Sequence, residues 1–541
     1  MKTTFAETRT QQRSLHFPAD LNELKSAGSA YDFAILLTGG DSLENWKEIL
    51  HVVIDKLVDG ALLWVQGMPK NLAEIGAYLD RFVHFRYWIA IESSLIEGTG
   101  LPSVHGSVLL FTKGRSLSIR ELRIPHQICK ACGKPLRDWG GKSHLRHPAG
   151  TRISDVWKDL PKSNNYSGLS LEAFERILAI IPDDKQVGLV YPKERLNPKD
   201  EGVVYRRLPS VPPSSSQALL SIESQVILGD ALTELRKLPD ESIDLAFADP
   251  PYNLDKPYGT YDDEKDIQEY LRWCEAWLLE YVRVLRPSGS LFILNLPRWA
   301  MHHAAFLSTY LYFQNWIVWD ALSEPRGKLM PAHYALLFYT KSPDSFTFHH
   351  EELKYIDARH YCLRNSCIRK RKALGEDEKE ILTDLWWDVH RIKHRPQRDA
   401  HPCQLPKALL ERIIRLTTNP GDIVLDAMAG TGTTAIVASQ LGRRYIAIDI
   451  DPTYVNLMKA KLEEIRVWGA EIPKFYARRR LPFSKKALQL ELKRITEILG
   501  RLPTPEDVAE LSTINIEVFH QAFPTWGKAL KAAKIALKTK T

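Results

Sequence analysis

Four short runs constrain what this chain can fold into. SIDLAFA (Ser242–Ala248), SLFILN (Ser290–Asn295), DIVLDA (Asp422–Ala427) and RYIAIDI (Arg444–Ile450) are short and apolar, as strands are when helices cover both faces of a sheet. Stretches such as DIQEYLRWCEAWLLEYVRVL (Asp266–Leu285) repeat their apolar residues at helical spacing. The alternation predicts a wound, mixed α/β sheet. At ~150 residues per domain, 541 residues suggest three or four units. Composition excludes several classes. With 44% hydrophobic and 26% charged residues the chain reads as globular rather than disordered. No apolar run approaches the ~20 residues of a membrane span, and the opening MKTTFAETRTQQRS lacks the apolar core of a secretory signal. Six cysteines fit no disulfide scaffold and suit a reducing, cytoplasmic setting. A net charge of +7 permits a polyanionic partner without demanding one.

The proline- and serine-rich stretch RLPSVPPSSSQ (Arg207–Gln217) cannot carry a helix or a central strand. The expected organisation is a first domain over 1–206, a linker over 207–220, a middle domain over 221–476 and, beyond ARRRLPF (Ala477–Phe483), a small helical module over 484–541. The first and middle domains read as copies of each other. Trp88-Ile89 precede Trp316-Ile317 by 228 positions, His105 and Thr112 precede His333 and Thr340 by the same shift, and Asp155 and Gly60 precede Asp384 and Gly289 by 229. Two unrelated α/β domains of like composition are the plainer alternative.

Two loops follow such strands, and ligands of wound sheets sit beyond the carboxyl ends of strands. The first is Asp249-Pro250-Pro251-Tyr252-Asn253. Two prolines stiffen it and remove two backbone donors, so its carbonyls and the Asp249 carboxylate gather acceptors beside an aromatic face. That suits a planar group bearing an amine; a bare DPPY also fits a stiffened turn with a capping aspartate. The second is Asp426-Ala427-Met428-Ala429-Gly430-Thr431-Gly432-Thr433-Thr434, whose glycines admit close backbone approach and whose following helix offers unpaired N–H groups. Asp449, 23 positions beyond Asp426, sits where an acid commonly accepts a ribose diol.

Together these segments resemble the S-adenosylmethionine-dependent DNA amino-methyltransferases, in the permuted group whose DPPY loop precedes the cofactor loop. DPPYN (Asp249–Asn253), HPCQLP (His401–Pro406), DAMAGTGTT (Asp426–Thr434) and YIAIDID (Tyr445–Asp451) stand in the group's order, across roughly Val226–Arg466. Ala427-Met428 replace its usual Pro-Phe, and Leu405 its usual lysine. The resemblance implies a Rossmann-like methyltransferase fold with Asp249, Pro250, Pro251 and Tyr252 as the catalytic loop. It implies S-adenosylmethionine held by Asp426, Gly430, Gly432, Thr433 and Thr434, with Asp449 on the ribose, His401, Gln404 and Pro406 around the methionine end, and Asp230 near the adenine. The implied substrate is a base flipped out of double-stranded DNA, with Tyr252 stacked on it. Aspartate at the first motif position favours adenine N6 over the alternative, cytosine N4. A nucleotide-binding oxidoreductase leaves DPPY and HPCQLP unexplained; a non-catalytic DNA-binding protein leaves the intact motifs without a use.

The cationic stretches CIRKRKAL (Cys367–Leu374) and HRIKHRPQR (His390–Arg398), within about 342–400, are the expected target-recognition region, or else a solvated face. In the first domain YDFAILL (Tyr31–Leu37) runs into Thr38-Gly39-Gly40-Asp41, and no glycine loop follows VGLVYPK. This predicts a degenerate copy that binds neither cofactor nor base and makes the chain a pseudo-dimer, with a cognate restriction endonuclease as a further expected partner. Cys129, Cys132, His144 and His147 form C-x2-C-x11-H-x2-H, near the spacing of a zinc site; a turn with two surface histidines is the alternative. The tail, ending FPTWGKALKAAKI, resembles the small repeat found beside homing endonucleases, which implies an accessory DNA-binding module. A basic helical cap on the enzyme is the alternative.

Overall fold

The computed structural model describes residues 13–28, 30–136, 146–162, 168–196, 222–254, 264–321, 327–362, 364–375, 378–389, 391, 404–468, 485–512, 514, 516–523 and 525–533. The linker 207–220, the joint 477–483, His144, His401 and nearly all of 390–398 lie outside them.

The first sheet has seven strands. In chain order the strands of this part are β1 (Ser14–His16), β2 (Tyr31–Gly39), β3 (Leu57–Gly67), β4 (His84–Ile96), β5 (Ser103–Thr112), the two-residue ribbon β6 (Arg123–Ile124) and β7 (Thr151–Arg152), β8 (Val156–Trp157) and β9 (Val187–Tyr191). Helices α1 (Leu21–Ser26), α2 (Lys47–Lys56), α3 (Pro69–Leu79) and α4 (Leu171–Ile180) accompany them. The sheet order is β1-β9-β2-β3-β5-β4-β8.

The second part supplies β10 (Gln225–Leu228), β11 (Ile243–Ala248), β12 (Leu285–Asn295), β13 (Tyr312–Asp320), β14 (His333–Thr340), a ribbon of β15 (Tyr355–Asp357) and β16 (Lys379–Ile381), β17 (Leu385–Trp386), β18 (Ile423–Asp426) and β19 (Arg444–Asp449). Its helices are α5 (Ala231–Leu235), α6 (Ile267–Val284), α7 (Pro297–Leu307), α8 (Asn365–Leu374), α9 (Lys407–Thr417), α10 (Thr433–Gln440) and α11 (Pro452–Trp468). The order is β10-β19-β18-β11-β12-β14-β13-β17.

Six consecutive strands of each sheet share one order and one pattern of directions. β9-β2-β3 and β18-β11-β12 are parallel, β5 and β14 run antiparallel to both neighbours, and β8 and β17 close parallel to β4 and β13. Even an irregularity recurs: Tyr31 pairs Leu57 and then Phe33 pairs Leu62, as Ile243 pairs Leu285 and then Leu245 pairs Ser290. The register also corrects one expected match. Lys113 N–H donates to Ala61 O and Lys341 N–H to Gly289 O, so Gly289 matches Ala61, and Gly60 falls one position away.

The two parts pack through reciprocal contacts. The Trp88 and Trp316 rings stack at 3.7 Å, 7° from parallel. His105 Nδ1 lies 3.2 Å from the Asp384 carboxylate, and His333 Nδ1 lies 3.6 Å from that of Asp155. Each carboxylate also takes a backbone N–H across the seam, Val104 to Asp384 at 2.9 Å and Ala332 to Asp155 at 2.7 Å. Burial holds the Asp155 carboxyl above its ordinary range. Each of these contacts thus has a counterpart running the other way across the seam. One hydrophobic core runs through both parts.

The tail forms α12 (Lys485–Leu499), α13 (Pro505–Leu511), α14 (Ile516–Ala522) and α15 (Trp526–Ala532) around its own core. A capping box of Thr504 and Asp507 starts α13, and Trp526 Nε1 donates to Pro503 O at 2.9 Å.

Candidate active site

The DPPY loop leaves β11 at its carboxyl end, and the glycine loop leaves the neighbouring strand β18 at the same end, because the two strands are parallel. Both loops line one cavity of about 150 Å³. Tyr252 and Gly430, 178 positions apart in the chain, are on its wall together.

Each loop is braced from α6 and α7. The Tyr270 hydroxyl donates to Pro251 O at 2.7 Å and Trp299 Nε1 to Tyr252 O at 2.8 Å. Asn253 adopts φ +53, and its amide exchanges two hydrogen bonds with the Lys265 backbone. The Tyr252 hydroxyl donates to Asp249 Oδ1 at 2.6 Å. Tyr281 joins the two loops: its hydroxyl donates to Phe247 O at 3.1 Å and accepts the Ala427 N–H at 3.0 Å. Burial, with the Asp426 charge beside it, raises the Tyr281 hydroxyl well above its ordinary range, so it stays neutral.

Asp426 is buried. Burial pushes its carboxyl up to about 7, against hydrogen bonds from Thr434 Oγ1 (2.6 Å) and Met428 N–H (3.1 Å). Asp449 accepts Gly430 N–H at 2.7 Å and Asp451 N–H at 2.8 Å, and burial raises its carboxyl too. Gly432 has φ +80 and caps α10; a Cβ there would stand 2.3 Å from Met458 Cγ. Its glycine is therefore needed for the turn and for helix packing, and it does not line the cavity. Thr433, Thr434, Gln404 and Asp230 do, although the Asp230 carboxylate also caps α5 through Thr233. Pro406 is buried as the residue before α9 and is not on the wall. Sequence reasoning missed Trp273 and Tyr454, which also line the cavity, as do Thr431 of the glycine loop and Ile450 and Asp451 beside Asp449.

Five aspartates (230, 249, 426, 449 and 451), and no lysine or arginine among the described residues, line the cavity. Five carboxyl groups next to glycine backbone fit a ligand that brings its own positive charge and hydroxyl donors. S-adenosylmethionine has a sulfonium, an ammonium and a ribose diol, and fits this donor set.

The first part differs at the same place. By strand register Leu37 stands where Asp249 stands and Val190 where Asp426 stands. After β9, where the second part has its glycine loop, Lys193–Arg195 form a short 3-10 helix. From it the Arg195 guanidinium donates to Leu37 O at 3.1 Å, to Thr38 O, and to Asp41 at 2.9 Å.

Among the described residues, the two cysteines of the expected Cys2His2 group have other neighbours, and His144 lies outside those residues. Cys129 and Cys132 meet Cys362 and Cys367 instead, with all four sulfurs within 4.8 Å of one another. His147 Nδ1 accepts the Ala149 N–H at 3.2 Å and is not in the group. The Cys-x2-Cys spacing marked this place in the chain, whereas Cys362 and Cys367, some 230 positions further on, were not in the expected group.

A wound sheet whose adjacent strand-end turns share an acidic cavity defines the class: a Rossmann-like methyltransferase architecture. Residues 243–460 match the DNA methylase family, and residues 483–536 match the homing endonuclease associated repeat. The type II methyltransferase M.HpaI of Haemophilus parainfluenzae is 34% identical over 247 residues, 45% of this chain and 75% of that protein. The DNA adenine methyltransferase YhdJ of Escherichia coli (strain K12) is 32% identical over 253 residues, 46% of this chain and 85% of that protein. The type II methyltransferase M.BamHI of Bacillus amyloliquefaciens is 37% identical over 231 residues; the match covers 41% of this chain and about half, 53%, of that protein. The chain belongs to the DNA methylase family.

Proposed function

We propose that the protein methylates the N6 amine of an adenine flipped out of double-stranded DNA, with S-adenosylmethionine as donor. The observation that carries this reading is the single cavity between Asp249-Pro250-Pro251-Tyr252 and the loop from Asp426 to Thr434. The donor supplies a sulfonium-activated methyl group. An adenine amine is a weak nucleophile because its lone pair is delocalised into the ring. Asp249 and the Pro250 carbonyl accept its two N–H bonds, which returns electron density to nitrogen, and Tyr252 stacks on the base to hold it in line. Asp426 and Asp449 face the positive and diol portions of the donor. The braces from Tyr270, Tyr281 and Trp299 keep these groups in place without touching the reacting atoms.

The first part, in this reading, is a degenerate copy that holds neither donor nor base and serves as a built-in partner, so the chain acts as a pseudo-dimer. Leu37, Val190 and Arg195 support this. The tail acts as an accessory DNA-binding module, a type II restriction endonuclease is the natural companion, and the cytoplasm the compartment. No helix among the described residues is long and apolar enough to cross a membrane. The test is transfer of labelled methyl to DNA followed by nucleoside analysis. N6-methyladenine is expected; N4-methylcytosine would replace the assigned base, and no transfer would overturn the reading.

A further inference from the structure

We propose that Cys129, Cys132, Cys362 and Cys367 bind one structural zinc ion that clamps the first part of the chain to the basic helix α8 of the second. The Cys129–Cys367 and Cys132–Cys362 sulfur pairs are both 3.6 Å apart, and no pair in the group exceeds 4.8 Å. A tetrahedral zinc with four thiolates sets its sulfurs about 3.8 Å apart, from Zn–S bonds of ~2.3 Å. A disulfide needs ~2.05 Å, and four packed thiols have no comparable reason to converge from points some 230 positions apart in the chain.

The surroundings are built for a metal. Cys129-Lys130-Ala131-Cys132-Gly133 forms a tight turn: Gly133 takes φ +65, its N–H donates to Cys129 O at 2.9 Å, and Cys129 N–H donates to Lys134 O at 2.8 Å. Cys362 N–H donates to Cys129 Sγ at 3.3 Å, a contact that orients and stabilises a metal thiolate. Arg371 is fully buried, 3.1 Å from Cys362 O, 3.9 Å from Cys367 Sγ and 3.4 Å from Asp357. Zinc with four thiolates carries a net charge of −2, which gives this buried cation a further counter-charge. Two ligands come from each side of the seam, so the metal ties the two parts together through coordinate bonds. Cys367 lies in α8, which exposes Arg369, Lys370 and Lys372. Fixing that helix fixes a cationic surface for phosphates; this last step rests on the DNA reading above, whereas the metal assignment does not.

Elemental analysis of the purified full chain should find one zinc per molecule, and a thiol-specific mercurial should release it after four equivalents. No bound metal, or Cys129 and Cys132 found in disulfides, would overturn the site. Cobalt replacement should give the thiolate-to-cobalt absorption and low-energy bands of a four-sulfur site. Cys367→Ser should lose the metal; should that variant not fold, the mercurial stoichiometry on the unaltered protein still decides. His144→Ala and His147→Ala should keep full zinc, and zinc loss in either would overturn the four-thiolate assignment. Zinc-stripped protein should bind S-adenosylmethionine as before and DNA about tenfold or more weakly. Zinc content of one with unchanged DNA affinity after stripping would retain the metal and overturn the clamp.

Discussion

The two halves carry the same six-strand frame and end it differently. In the second, the ends of β11 and β18 present Asp249 and Asp426 to an open cavity; in the first, the matching positions are Leu37 and Val190, and Arg195 reaches over the strand ends to the carbonyls there. The frame decides where a site can be, because parallel neighbours put their loops at one edge. The loops decide whether a site exists. Trp88, His105 and Asp155 of the first half each have their partner on the other half.

Six substitutions would break or sharpen this contrast. Asp249→Ala should lower methyl transfer by about a thousandfold or more while leaving donor affinity within a few-fold, since it removes an acceptor that acts on the amine; Leu37→Ala should leave donor affinity unchanged. Single-turnover transfer and calorimetry separate the two. Trp88→Ala and Trp316→Ala should each cost about 3–5 kcal/mol of stability, by denaturant unfolding. Unequal losses would mean that the halves do not share the seam evenly.

Asp426→Asn should weaken the donor by roughly 10- to 100-fold. In the unaltered protein donor affinity should fall as pH drops through about 7, where burial has placed the Asp426 carboxyl, because protonation removes the charge a cation needs. The stability effect has the opposite sense: a carboxyl raised on folding contributes stability that is present below its unfolded value and lost as pH rises through about 7. Ligand-free Asp426→Asn should therefore melt above the unaltered protein at pH 8 and lose that advantage towards pH 5. Arg195→Ala should cost about 1–2 kcal/mol by removing buried carbonyl partners. It should leave one donor site per chain, because Leu37 and Val190 still stand where Asp249 and Asp426 stand in the other half; a second equivalent of bound donor would erase the distinction between the halves.

Both turns of the active site were legible because each is contiguous. Two prolines after an apolar run make a rigid acceptor loop wherever they occur, and glycines between a strand and a helix make a close backbone approach. Trp88, His105, Thr112 and the residues 228 positions further on occupy matching strand positions, whereas Gly289 matches Ala61 rather than Gly60. What the chain order could not reveal were contacts made at right angles to it. Tyr281 ties the two loops from a helix that belongs to neither. Asp384 and Asp155 each pair across the seam rather than within their own half. Cys129 and Cys132 take Cys362 and Cys367 as companions, and His147 is not among them.

The sequence by itself determined the strand-end turns, their chemistry and the family they belong to, because those depend on backbone conformation over a few residues. Only the tertiary structure decided which cysteines converge, which strand-end carbonyls an arginine reaches and which residues face each other across the halves. Those outcomes depend on how two sheets pack, and packing is settled by surfaces assembled from residues far apart in the chain.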